Sequence, residues 1–383
     1  MHILFLNQYA PPDPSPTARL LGELADYLRA KGHSVDVISQ RNAYQGHHVA
    51  SVSRIQRELG AIGTILRAGL ARRGQRRPDF VVSLSSPPCL LVAASLIAWR
   101  RRAPLVHWAM DLYPELAITL GEVRPGSPVA AVLRRLMSWA YRRCAFIVAL
   151  DDDMADHLRR TYRVHPKVLP PWPPSAADPD AGALQEESPP GARLATDAWT
   201  WLYSGNLGRA HEWQSLLDTQ ATLERQGLPV QLVFEGGGPN WQPARAYAQH
   251  LGLQRCLWTG YVSEAQSFRT LQASRLVVAT QKRAALGLLW PSKLARIIPL
   301  PKPLLWIGPA EGAVARSLCS RADTACFEPD RSVEMAQWIA ELYRRDPSFP
   351  SAPLNTGKTS QAYEERLRAS CQQWEKWLSE ALE

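Results

Sequence analysis

The sequence predicts two α/β domains, each with a parallel sheet, joined by one linker. Three observations carry that prediction. At about 100 to 200 residues per domain, 383 residues fit two domains. Both halves repeat a strand-then-helix order, which implies parallel sheets covered by helices. Between them, eight prolines fall within residues 166–190, with Asp178, Asp180, Glu186 and Glu187 interspersed, a composition suited to a linker.

In the first half, His2 to Asn7 reads as a buried strand, Ala18 to Ala30 as an amphipathic helix and Ser34 to Ser39 as a second strand. Phe80 to Leu84, Leu105 to Trp108 and Ala145 to Leu150 read as further strands, each followed by a turn signal and a helical stretch. Thr200 to Tyr203, Val230 to Phe234, Leu276 to Ala279 and Leu304 to Ile307 repeat the pattern in the second half. The expected boundaries are an amino-terminal domain over 1–172, a linker over 173–198, a second domain over 199–366 and a terminal helix over 367–383.

Composition excludes several classes. Hydrophobic residues at 46% and charged residues at 21% are ordinary for a folded protein and exclude wholesale disorder. The 31 prolines argue against long helices throughout. Six scattered cysteines without a CxxC pair indicate neither a zinc cage nor a disulfide framework. The opening Met1-His2-Ile3-Leu4-Phe5-Leu6 lacks a basic leader and reads as a strand, not a signal peptide. The longest nearly apolar run, Cys89 to Trp99, would span about 16 Å as a helix, where a bilayer core needs about 30 Å.

Charge is unevenly divided. Residues 1–172 hold 23 Lys and Arg against 13 Asp and Glu, and the remainder hold 21 against 22. A basic first half points to an anionic ligand or surface. Within it, Ile55, Leu59, Ile62, Leu66 and Leu70 recur at helical spacing beside seven arginines between Ser53 and Arg77. That stripe either packs on its own domain or lies in a membrane interface, and the expectation is peripheral attachment of a cytoplasmic protein to the cytoplasmic membrane face.

Open parallel sheets bind ligands where strand carboxyl ends lead into helices. After the first strand, a proline-rich loop leads to Ser15 and Thr17, either of which can cap the next helix. After the strand ending at Trp108, Asp111 and Glu115 suit hydrogen bonds to a polar substrate or cap a helix. The second half opens with Gly205-Asn206-Leu207-Gly208-Arg209 at a strand-to-helix turn. Glycines there let backbone approach a ligand, and an arginine suits phosphate oxygens. Gly236 and Gly237 follow the next strand, and Tyr261 and Val262, after a short third strand ending near Gly260, could present main-chain groups to a base. Pro291, Ser292 and Lys293 form a helix start of a kind that suits a diphosphate. Asp151-Asp152-Asp153 looks like a metal-binding DxD but stands where a helix cap and an acidic first turn belong.

Taken in order, PPDP, "TARLLGELADYLRAKGHSVDVI", "MDLYPE", "YSGNLGRAHEW", "FEGGGP" and "GLLWPSKL...PLLWIGP" resemble bacterial family 4 glycosyltransferases, most nearly the colanic-acid and O-antigen type. The resemblance implies a GT-B fold: two Rossmann-like domains facing across a cleft, with the last helix packing back on the first. It implies a retaining transfer of a sugar from a nucleotide diphosphate sugar to a saccharide carried on a lipid. Neither metal nor nucleic acid is expected. By the same resemblance Arg209 and Lys293 hold the donor diphosphate, Gly205, Asn206, Pro291 and Ser292 shape its pocket, Tyr261 and Val262 meet the base, and Thr17, Asp111 and Glu115 face the acceptor. The chain departs from the family in lacking two glutamates eight positions apart, where it has Leu288 and Arg296, and in Leu286, where close relatives keep a glutamate. Those departures leave open a noncatalytic nucleotide-sugar binder, or an epimerase on the same fold.

Overall fold

The structure is a computed structural model that describes residues 1–13, 15–40, 54–71, 76–173, 199–318, 320–347 and 356–383, with backbone alone for 54, 55, 264 and 356–360. The chain packs as two units: residues 1–175, 287–292 and 364–383, and residues 176–286 and 293–363. Nearly all of the expected linker lies outside the described residues.

The first unit runs β1 (His2–Leu6), α1 (Pro16–Ala30), β2 (Ser34–Ile38), α2 (Arg54–Ala71), β3 (Phe80–Ser83), α3 (Leu90–Arg101), β4 (Leu105–Trp108), α4 (Glu115–Thr119), α5 (Pro128–Tyr141), β5 (Cys144–Ala149), α6 (Asp152–Tyr162) and β6 (Lys167–Val168). Its six parallel strands are ordered β2-β1-β3-β4-β5-β6. Serine and aspartate start the helices. Ser15, Ser127 and Asp151 each accept a hydrogen bond from the amide three residues on, and Pro16 and Pro128 occupy the first helical positions, where their missing N–H is no loss.

Side chains alternate across β4. His107 meets Tyr141 of α5 edge-on, whereas Trp108 meets Trp172 and Trp374 at ring-centroid distances of 5.4 and 4.9 Å. Trp374 belongs to the last helix, α13 (Thr356–Glu380), whose residues from 364 onward pack with the first unit. Fully burying an aromatic of this size contributes about 1.5–3 kcal/mol. Polar contacts fix the helix register. Glu375 accepts from Tyr27 Oη at 3.1 Å and lies 3.0 Å from His33 Nε2.

The second unit runs β7 (Trp199–Ser204), α7 (Gln214–Arg225), β8 (Val230–Glu235), α8 (Trp241–His250), β9 (Cys256–Gly260), α9 (Glu264–Ala273), β10 (Leu276–Thr280), α10 (Lys293–Ile297), β11 (Leu304–Ile307), α11 (Ala313–Leu318), β12 (Thr324–Phe327) and α12 (Ser332–Arg345). The order β12-β11-β10-β7-β8-β9 is again parallel throughout. α10 is only five residues long, because Pro299, Pro301 and Pro303 cannot continue a helix. Two strands absent from the sequence expectation, β6 and β12, are short and sit at sheet edges.

Candidate functional site

In an open parallel sheet the ligand crevice opens where strand order reverses, since loops from neighbouring strands there turn to opposite faces. In the second unit that point lies between β7 and β10. The loops after these strands bring Gly205, Tyr203, His211 and Lys293 together.

Gly205 has φ of 124°, a conformation side chains rarely adopt, and its amide donates to the Glu235 carbonyl at 2.8 Å. A β-carbon there would stand 3.5 Å from Lys293 Cε. Lys293 Nζ lies 3.3 Å from the centroid of the Tyr203 ring. The nitrogen is buried with no hydrogen-bond partner among the described residues. Burial drives its pKa well below the ordinary lysine value, because no hydrogen bond among the described residues replaces the lost hydration of the ammonium. His211 is held neutral, its pKa lowered to about 3 by burial with Lys293 as a neighbour. Its Nδ1 donates to the Thr280 carbonyl at 2.8 Å, leaving Nε2 as an acceptor.

The loop after β8 adjoins these residues. Leu207 N donates to Gly237 O at 2.6 Å, and Gly236 N donates to Gly260 O at 2.7 Å, so the turns after β7, β8 and β9 are tied to one another. Gly237 lets the exposed Tyr261 ring lie close against the backbone. Glu235 is buried beside these turns, accepting from Ser204 Oγ at 2.8 Å and Ser267 Oγ at 2.6 Å. Arg296 Nη1 donates to the same Ser267 Oγ at 3.4 Å. Thus Arg296, where the family resemblance expects a glutamate, joins a network that already holds a carboxylate.

Six expected donor residues, Gly205, Asn206, Gly236, Gly237, Tyr261 and Val262, lie in these turns. Arg209 is exposed in the loop after β7. Pro291 and Ser292 pack with the first unit, although Lys293 next to them belongs to the second. Tyr203, His211 and Glu235 were not singled out from sequence. Tyr203 lies near the end of β7 and His211 in the glycine-rich loop after it, and a histidine there was the available signal.

In the first unit, the order reverses between β1 and β3. Gln8 N donates to Ser86 O at 2.7 Å, joining the loops after those strands. Ser15 is buried as the cap of α1, with Thr17 Oγ1 at 3.3 Å from its hydroxyl. Glu115 is turned into the domain, accepting from Tyr162 Oη at 2.7 Å and Arg134 Nε at 3.4 Å. Asp151 accepts from Met154 N at 2.8 Å as the cap of α6.

Asp111 forms an isolated antiparallel bridge with Leu289, and Leu112 N donates to Leu288 O at 2.8 Å, so residues 287–292 are bound to the loop after β4. Asp111 lines a small cavity with Ser85, Cys89, His107 and Tyr113. Burial pushes its pKa up to about 6. The folded protein therefore resists ionising Asp111, a penalty absent below the ordinary carboxylate pKa and complete above about pH 6. Asp111→Asn is expected to gain at most about 3 kcal/mol of stability at pH 8 relative to its effect at pH 4. Urea melts of both proteins at the two pH values measure this, and an equal effect at both would contradict it.

Residues 17–174 match the family model for Glycosyltransferase Family 4. Among solved structures, the chain is similar to a sucrose-phosphate synthase from Thermosynechococcus elongatus, at 13% identity and a TM-score of 0.67 over 99% of this chain and 100% of that one. Anabaena HepE in complex with UDP-glucose gives 15% identity and 0.62 over 99% and 100%. WaaG, a glycosyltransferase involved in lipopolysaccharide biosynthesis, gives 15% and 0.60 over 97% and 95%. No curated protein sequence matches the chain. Residues 17–174 thus match family 4 glycosyltransferases, and the chain shares the GT-B fold over nearly its whole length.

Proposed function

We propose that the protein transfers a sugar from a nucleotide diphosphate sugar to a saccharide acceptor carried on a lipid, with retention of configuration, in building a cell-surface polysaccharide. The observation that carries the donor half is Lys293: a buried amine without an acceptor, between Gly205 and the Tyr203 ring. An amine without a hydrogen-bond acceptor beside backbone turns is what an incoming diphosphate would neutralise. HepE, bound to UDP-glucose, gives this reading support.

In such a transfer, negative charge grows on the departing β-phosphate. Arg209 and Lys293 placed there would act most strongly in the transition state. His211 Nε2 and the turns around Gly205 and Gly236 would orient the donor. A phosphate oxygen of the donor would take the acceptor proton, and Asp111 would hold the acceptor as a hydrogen-bond partner. Positive charge at the leaving group then comes from side chains, and turnover is expected to survive EDTA.

A second reading is a nucleotide-sugar binder without turnover. Its motivation is the buried Leu288, at a position where many relatives use a glutamate. Incubation with UDP- and GDP-sugars and a membrane-lipid extract, with and without EDTA, separates the possibilities. Glycosylated lipid insensitive to EDTA supports the proposal. Binding alone supports the second reading, isomerised nucleotide sugar an epimerase, and activity restored by Mg²⁺ or Mn²⁺ would overturn metal independence.

A further inference from the structure

Three helices of the first unit lie side by side on its sheet. α3 packs on β3 and β4 and touches α2 on one flank and α5 on the other. Each turns one stripe inward: Ala61 and Ile65 on α2, Ala94 and Ile97 on α3, Met137 and Ala140 on α5. Gly69 lets α2 approach Ile97 of α3 closely.

The outward stripes are not polar. Trp99 on α3 is 72% exposed, with Leu96 one turn before it; Val129, Val132 and Leu136 on α5 are exposed at i, i+3 and i+7. On α2, Leu59 is 62% exposed and Leu70 is exposed at the far end. These seven are most of the ten exposed large hydrophobic side chains among the described residues, so they form a face and not a random scatter. Arg67, Arg100, Arg102, Arg135, Arg142 and Arg143 are exposed on or beside the same helices. Neither α3 nor α5 contains an acidic residue, and α2 contains only Glu58.

We propose that this α2–α3–α5 face docks on an anionic lipid bilayer. Apolar side chains standing singly among arginines match the interface of a membrane, where each chain enters the headgroup boundary and each arginine meets lipid phosphate. An interfacial tryptophan suits that depth. The sequence expectation put the apolar contact on residues 53–77, with Arg100 to Arg102, Arg134, Arg135, Arg142 and Arg143 adding only positive charge. Arg72 and Arg73 of that stretch lie outside the described residues, while the most exposed anchor, Trp99, is on a neighbouring helix. The inference rests on the proposed lipid-linked acceptor, which the same surface would bring within reach.

The test is co-sedimentation of the full chain with vesicles of phosphatidylcholine alone or mixed with phosphatidylglycerol, at low and high salt. Wild type is compared with Trp99→Ser/Val132→Ser/Leu136→Ser and with Arg100→Gln/Arg135→Gln/Arg142→Gln/Arg143→Gln. All these side chains are exposed, so melting temperatures should hold. Wild type is expected to pellet with anionic vesicles, less so at high salt. The apolar variant should lose about tenfold in partitioning, and the arginine variant should no longer distinguish the two lipids. Wild type staying in the supernatant with both vesicles, or an apolar variant that pellets like wild type, would overturn the proposal. Transfer to a lipid-linked saccharide in detergent reads the acceptor separately. Transfer without vesicle binding sinks the docking face alone, and vesicle binding without transfer sinks the acceptor reading alone.

Discussion

Lys293→Met is expected to abolish most nucleotide-sugar affinity and turnover while leaving the free protein more stable than wild type. A hydrogen bond to a charged group contributes about 1.5–3 kcal/mol, so its loss corresponds to roughly a 10- to 200-fold effect. Stability should move the other way, because the amine is buried without a partner and such a group costs about 1–3 kcal/mol. Sign matters also for protons. Burial depresses the Lys293 pKa, and a bound diphosphate would raise it again, so donor binding should take up a proton near neutral or higher pH. Binding enthalpies in two buffers of different ionisation enthalpy measure this uptake. Arg209, exposed in its loop, gives the contrasting case: Arg209→Ala should lower turnover with little change in stability.

Gly236→Ala should be the most damaging single methyl in the second unit. Gly236 has φ of 125°, and an added β-carbon would strike the backbone carbonyl of Gly205. The β-carbon is fixed to the backbone and the carbonyl it meets is backbone, so no side-chain rotation relieves the contact. Backbone strain of this kind costs about 1–3 kcal/mol before the clash is added. The expected result is a lowered melting temperature together with at least about tenfold weaker nucleotide binding. Gly227→Ala is the control, since Gly227 also has positive φ, 70°, but open space around it. It should lose a little stability and keep its affinity. Equal affinity in Gly236→Ala and wild type would remove the turns after β7 and β8 from the site.

How much of this was legible in the sequence depends on what each residue's role rests on. The parallel sheets were readable because buried strands such as Phe80–Ser83 and Leu304–Ile307 are continuous apolar runs bounded by turn residues. β6 has only two residues, and β12 is only half-buried, so neither presents such a run. Gly205 and Gly236 were readable as glycines in strand-to-helix turns, because a positive φ restricts residue type. Glu115 was ambiguous as a lone acid; its partners Tyr162 and Arg134 lie 47 and 19 residues away, a distance that no local pattern encodes. For the same reason Glu235 was passed over, its role resting on Ser204 and Ser267 from two other segments. The arginine-flanked stripe on α2 was visible as a period, but the adjoining stripes on α3 and α5 become one surface only when the sheet sets the three helices side by side.

In the proposed function the second unit takes a nucleoside diphosphate at Lys293. Titration calorimetry of wild type and Lys293→Met with UDP, GDP and ADP, each in two buffers, tests it most directly. At least one nucleotide is expected to bind wild type with proton uptake, and both affinity and uptake are expected to be lost in the variant. Failure of all three nucleotides to bind wild type, or equal affinity and proton uptake in the two proteins, would contradict it.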